Sequence, residues 1–212
     1  MQLPLPEDLK MSTAMTTDSI RWAIRSVKEN MVSVASELNA LDGALGDGDL
    51  GITLSQGFLR LQEDASNLPD DVGMALLQCA QAFTRVTAST YGTLLATGMM
   101  AAAKVTRGRN EVPWTEVPQL LGAALKSMSD RGKGELGDKT VLDALNAVRL
   151  ATEGLDQPTA QVKTAIQAVH QTLTDFRGHP FRRGRARIFG DKGLELDDPG
   201  MVAFKRMIES LI

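Results

Sequence analysis

The chain is poor in the residues that build disulfides, zinc centres and nucleophilic triads. Its 212 residues hold one cysteine, Cys79, and two histidines, His170 and His179. A lone cysteine excludes a disulfide framework and a thiolate zinc site, and two histidines leave little for a zinc centre or a triad. Neither sign of charge dominates. Lys and Arg number 23 against 26 Asp and Glu, a net −3, which argues against a nucleic-acid or membrane-surface binder at the level of the whole chain. No apolar run reaches the roughly 18–20 residues of a membrane-spanning helix. The N-terminus has neither the basic nor the apolar region of a signal peptide. A cytoplasmic protein is expected, folded as one domain over 1–212 with a loosely ordered extension over 1–17.

What is present reads as helix. Ile20, Ile24, Val27, Met31, Val34, Leu38 and Leu41 recur at alternating steps of four and three, and Val162, Ile166, Val169, Leu173 and Phe176 repeat that spacing late in the chain. Helices are expected near 18–41, 51–63, 71–86, 92–106, 115–130, 139–153, 159–176 and 199–211. Breakers separate them at 67–70, 107–110, 154–158 and 178–200. No segment alternates with the period of a half-buried strand. Aromatics make up only 4% of the chain, which suits close helix packing. An all-α single domain follows.

The first helix runs into an acidic loop in which Asp42, Asp47 and Asp49 are interleaved with Gly43, Gly46, Gly48 and Gly51. At about 4 Å and an effective dielectric near 20, each like-charged pair costs roughly 4 kcal/mol, a cost that a bound cation removes. Carboxylates without Cys or His form an all-oxygen site suited to Mg²⁺ or Ca²⁺. As an EF-hand the loop fails, because Ile52 and Phe58 stand where Gly and Glu are needed. Gly46-x-Gly48-x-x-Gly51 matches a dinucleotide fingerprint literally, but it follows a helix instead of a strand. Metal-bridged phosphate at the start of the next helix reconciles glycines with aspartates. A solvated acidic turn is the plain alternative.

Two further loops carry phosphate-type chemistry. Asp130 to Thr140 is glycine-rich and precedes a helix, with Thr140 or Asp138 as its N-cap. Arg182, Arg183, Arg185 and Arg187 crowd six residues of the third. Acidic residues close behind favour a phosphate-binding arm over an RNA surface. Asp198-Pro199 reads as a helix start, Asp at N-cap and Pro at the first helical position.

Together these motifs resemble a known family. Asp42-x4-Asp47-Gly48-Asp49-x-Gly51, then Gly137-Asp138-Lys139-Thr140-x-x-Asp143, then Gly184-Arg185-Ala186 and Asp198-Pro199-Gly200 are similar to the nucleotide-binding L subunits of dihydroxyacetone kinases, the DhaL family. The resemblance covers nearly the whole chain. It implies a closed barrel of eight antiparallel amphipathic helices. It implies two Mg²⁺ ions on Asp42, Asp47 and Asp49, holding the phosphates of ADP or ATP. Leu50, Gly51, Ile52 and Thr53 look like the phosphate-contacting helix start, Thr90 and Tyr91 the second phosphate-side loop, and Gly132 and Val141 nucleotide-pocket positions. Arg185 matches the arginine near the phosphates, the expected catalytic helper, and Asp198, Pro199 and Gly200 match the closing segment. Two positions depart: Leu50 stands where the family usually has His, and Tyr91 replaces a small hydroxyl.

The implied reaction is phosphoryl transfer from Mg-nucleotide to a small ketose such as dihydroxyacetone, or to another such as erythrulose. The implied partners are a separate substrate-binding K subunit and, in one branch of the family, a phosphotransferase-system M subunit; neither nucleic acid nor membrane is a partner. Leu50 and Tyr91 leave open a non-catalytic nucleotide sensor. Cys79 reads as core, His170 and His179 as structural or solvated, and Trp22 and Trp114 carry no motif.

Overall fold

Thr16 starts the first helix. Its hydroxyl accepts the Ser19 N–H while Ser19 Oγ accepts the Thr16 N–H, a reciprocal cap that opens α1 (Thr17–Ser33). The computed structural model describes residues 6, 12–86 and 89–212. Most of the expected N-terminal extension, and Ala88 in the loop before Thr90, therefore lie outside the described residues.

The single helix expected over 18–41 is two helices. Val34 leaves helical geometry (φ −100°, ψ 6°), and α2 (Ala35–Gly43) begins beyond it. The Val34 N–H still donates to Asn30 O at 2.9 Å, and the apolar stripe passes through the break in register, so periodicity does not reveal it. The remaining helices fall within a few residues of expectation: α3 (Leu50–Asp64), α4 (Val72–Val86), α5 (Thr90–Thr106), α6 (Val117–Gly132), α7 (Val141–Ala151), α8 (Pro158–Asp175) and α9 (Pro199–Glu209). Short 3-10 turns cover 65–67, 114–116 and 185–193. Strands β1 (Ala14–Met15) and β2 (Val112–Pro113) pair antiparallel. Two residues each are too few to leave a period in the sequence.

Helices adjacent in sequence pack on one another, from α2 on α3 through α8 on α9, and α9 also packs on α7, α2 and α1. The connections consequently alternate between two ends. At one end Thr17 Oγ1 donates to Pro69 O at 2.8 Å, the Val72 N–H to Arg109 O at 2.8 Å, and Gln161 Nε2 to Trp114 O at 2.7 Å. At the other end lie the acidic loop, the start of α5, the 133–140 loop and the arginine loop. The interior between the ends is apolar. Met31, Leu38, Leu54, Val72, Phe83, Val169 and Met201 are fully buried, each contributing roughly 1.5–3 kcal/mol. Phe58 meets Phe83 edge to face at 5.6 Å. Cys79 lies in this core, where burial pushes its thiol up to about 12 and leaves it inert. Among the described residues no helix is long and apolar enough to cross a membrane.

Candidate functional site

The acidic loop folds its three carboxylates onto one point. Asp42 lies in the last turn of α2, and its Oδ2 accepts the N–H groups of Gly48 (2.9 Å) and Asp49 (3.0 Å), which draws the loop back on itself. Gly48 makes that turn with φ +76°, a conformation open to glycine without strain. Oxygens of Asp42, Asp47 and Asp49 then lie within 4.8 Å of one another, and Asp47 and Asp49 are exposed. Arg185, from the arginine loop, forms an ion pair with Asp47. That bond to Arg185 holds the Asp47 carboxyl below the usual range. Partial burial, and then the charges of Asp47 and Asp42, push Asp49 up. Three oxygen donors with exposed faces fit a hard divalent cation that keeps waters and shares phosphate oxygens.

The first turn of α3 sits beside this cluster. Leu50, Gly51 and Thr53 are buried and only Ile52 is exposed. The N–H groups of Gly51 and Ile52 donate to Asn39 Oδ1, at 2.8 and 3.2 Å. Gly51 is small because a Cβ there would fall 2.0 Å from the Ala35 carbonyl oxygen, where α3 crosses the start of α2. Leu50 packs in the main core with Leu54 and Phe58 instead of facing the rim.

The arginine loop joins the acidic loop to the other two motifs. Phe181 and Leu45 lie against Gly193, and Arg185 reaches Asp47. On the opposite side the Arg182 N–H donates to Asp138 O at 3.1 Å, and Arg183 Nε bonds Asp138 Oδ2 at 3.0 Å. Of the two N-cap candidates, Thr140 caps α7: its hydroxyl accepts from Leu142, and Asp143 Oδ2 accepts the Thr140 N–H at 2.8 Å. Asp198 caps α9 through Met201 at 2.8 Å with Pro199 behind it, as Asp-Pro predicts. The Tyr91 hydroxyl donates to Gly200 O at 3.1 Å, binding the start of α5 to the start of α9. Tyr91 also packs against the small apolar cluster of Met128, Val141, Leu142 and Leu145. Thr90 is exposed at the head of α5 and Gly132 is exposed at the end of α6. A groove of about 710 Å³ runs between α6 and α7, with Ser129, Leu136 and Leu142 among the residues lining it.

Asn39 escaped the sequence reading, and Lys139 entered it only inside the Gly137-to-Thr140 motif, with no role of its own. Asn39 lies in an amphipathic helix with nothing beside it to signal a bond twelve residues ahead. Lys139 reads as one charge among many in a polar loop. The T-x-x-D pattern at Thr140 was the available signal for the α7 cap.

Fold and site define a class: all-helical domains whose loops gather a carboxylate triad and arginines at one end. The family model described as the DAK2 domain matches residues 44–212, and the chain belongs to that family. It is 28% identical over 205 residues to the PEP-dependent dihydroxyacetone kinase, ADP-binding subunit DhaL, of Escherichia coli K12, covering 92% of this chain and 95% of that one. It is 27% identical over 217 residues to human triokinase/FMN cyclase, covering 98% of this chain but 37% of that protein. The solved dihydroxyacetone kinase of C. freundii, in complex with AMP-PNP and Mg²⁺, superposes with a TM-score of 0.70 at 21% identity. That match covers all of this chain and 36% of the other, and it speaks for the fold.

Proposed function

We propose that the chain is the nucleotide-binding subunit of a dihydroxyacetone-type kinase. The observation that carries this reading is the meeting of Asp42, Asp47, Asp49 and Arg185 at the end where the other motif loops also converge. On this reading the three aspartates hold two Mg²⁺ ions, which supply charge neutralisation to the phosphates of ADP or ATP. Arg185, paired with Asp47, would add its positive charge to that of the metal at the phosphates. Phosphoryl transfer needs this positioning and charge more than covalent help. On this reading the base takes the end of the α6–α7 groove lined by Leu136 and Leu142, in the stretch of chain that also holds Gly132 and Val141. We read the ring of helices as a closed eight-helix antiparallel barrel, α1 and α2 counting as one, supported by the return of α9 to α1 and α2.

The acceptor, a small ketose such as dihydroxyacetone or erythrulose, comes on a separate substrate-binding K subunit. A phosphotransferase-system M subunit is the donor partner in keeping with the PEP-dependent relative. The sensor alternative rests on Leu50 and Tyr91. Leu50 is a core residue and Tyr91 is bonded inward to Gly200, so neither speaks for a remodelled rim.

Calorimetric titration with ADP and ATP, with Mg²⁺ and with chelator, tests the reading. Binding that disappears with chelator supports it, and transfer to either ketose in the presence of a K subunit completes it. Failure of both nucleotides to bind in Mg²⁺ overturns it.

A further inference from the structure

Lys139 is a lysine in an improbable place. Its side chain is 1% exposed, and its backbone holds φ +62°, the left-handed region that a long side chain rarely adopts. A buried ammonium and a strained backbone are both unfavourable, and both persist only where the surroundings over-determine them. The surroundings are two carbonyls and a ring. Nζ donates to His179 O at 3.0 Å and to Leu194 O at 2.8 Å, and stands 4.4 Å from the centre of the Phe181 ring.

Those two carbonyls are the two ends of the arginine loop. The same neck is closed by the Gly178 N–H donating to Leu194 O at 2.9 Å, and by paired bonds from Arg177 to Asp197 at 3.0 Å each. The Arg177–Asp197 pair is partly exposed and solvent-screened, and the backbone bond is a single one. Lys139 makes two charge-assisted bonds out of water, and it comes from a different loop, so it fixes the neck relative to the α7 end of the site. Burial pulls the Lys139 ammonium below the usual lysine range; the charges of Asp197, Asp198 and Glu195 work against that shift and Arg177 adds to it. Beyond the neck, Arg183 is held by Asp138 and Arg185 by Asp47.

We infer that Lys139 is a positioning residue: it fastens both ends of the arginine loop at once, so that Arg185 is presented to the carboxylate cluster. The link to nucleotide binding rests on the function proposed above; the fastening of the loop does not.

The test is Lys139→Met, which keeps the buried volume and removes the donors. An arginine-specific protease reports on the closure of the neck, because Arg182, Arg183, Arg185 and Arg187 are exposed on the loop beyond it. Cleavage at these sites is expected to accelerate at least about tenfold, since two charge-assisted bonds are lost and one alone accounts for that much, while the helical circular dichroism stays unchanged. Unchanged cleavage, or acceleration spread evenly over all arginines of the chain, overturns the inference. Lys139→Gln, which removes the charge and shortens the reach of the donor nitrogen, is read by the same criteria if the Met variant does not fold. Mg-ADP affinity is then measured for Lys139→Met, Arg185→Ala and the double variant. If Lys139 acts through Arg185, the double variant is no weaker than the Arg185 variant alone, whereas a merely structural role gives additive losses. A wild-type chain that binds no Mg-ADP sinks the nucleotide reading and leaves the cleavage test of the loop intact.

Discussion

Asn39 caps the helix that Asp49 begins. Asp49 is the N-cap residue of α3 by position, yet its side chain makes no cap bond. The amides it would ordinarily bind, those of Gly51 and Ile52, are taken by Asn39 Oδ1 from the preceding helix. The Asp49 carboxylate is thereby spared for the cluster with Asp42 and Asp47. In Asn39→Ala the freed amides recruit Asp49 as an ordinary cap. The expected stability loss is therefore below about 1 kcal/mol, while Mg-dependent ADP affinity falls about tenfold. Denaturant unfolding and calorimetry on the same preparation separate the two. A large stability loss with unchanged affinity refutes this division of labour.

Gly51 answers to packing, and its replacement tests that. In Gly51→Ala the new Cβ meets the Ala35 backbone at 2.0 Å, and a carbonyl in the first turn of α2 has no room to yield without moving the helix. Destabilisation of about 3 kcal/mol is expected, at the upper end for overpacking. Thermal unfolding measures it, and a variant as stable as the wild type shows the close approach to be unimportant.

The helices and the carboxylate cluster were legible in the sequence because both are local. A stripe such as Ile20 to Leu41 encodes a buried face, and Asp42 to Asp49 encodes a charge density. The break at Val34 was hidden because a kink that preserves the phase of Met31 and Leu38 leaves the stripe intact. The meeting of Arg185 with Asp47 spans most of the chain, and only the resemblance put both in one site. The bonds of Asn39 and Lys139 were illegible for a plainer reason: a polar side chain that serves a distant backbone has no period and no local partner.

Asp47→Asn removes one oxygen donor of the triad and the charge that pairs with Arg185. The side chain is half exposed, so the helices and the unfolding midpoint are expected to stay close to wild type. Mg-dependent ADP binding is expected to weaken by about a hundredfold, in line with the loss of a charged hard-metal ligand. Titration at several Mg²⁺ concentrations checks this, and unchanged ADP affinity removes Asp47 from the metal site.

The stability of the domain should fall as pH rises from about 4 to about 7 through Asp198. Burial pushes its carboxyl up to about 7, against 3.8 for the ordinary group, despite the Met201 N–H it accepts. The nearby Asp143 carboxylate adds to the shift and Lys139 opposes it. In that pH interval the folded chain holds a proton at Asp198 that the unfolded chain has released. Linkage then makes unfolding easier with each step upward. The contribution is fully present below pH 4 and lost once pH passes the folded value near 7. Asp143, itself pushed up by burial, acts in the same direction. Ordinary carboxylates paired in the native state, such as Glu116 with Arg109, have the opposite slope, so the net profile alone does not isolate Asp198. Asp198→Asn does, because asparagine still accepts the Met201 N–H as an N-cap but carries no proton to lose. Unfolding free energies measured from pH 4 to 8 should therefore show the wild type losing stability relative to Asp198→Asn as pH rises. Parallel profiles would place the Asp198 carboxylate in contact with water and not in the buried setting beside Asp143 and Lys139.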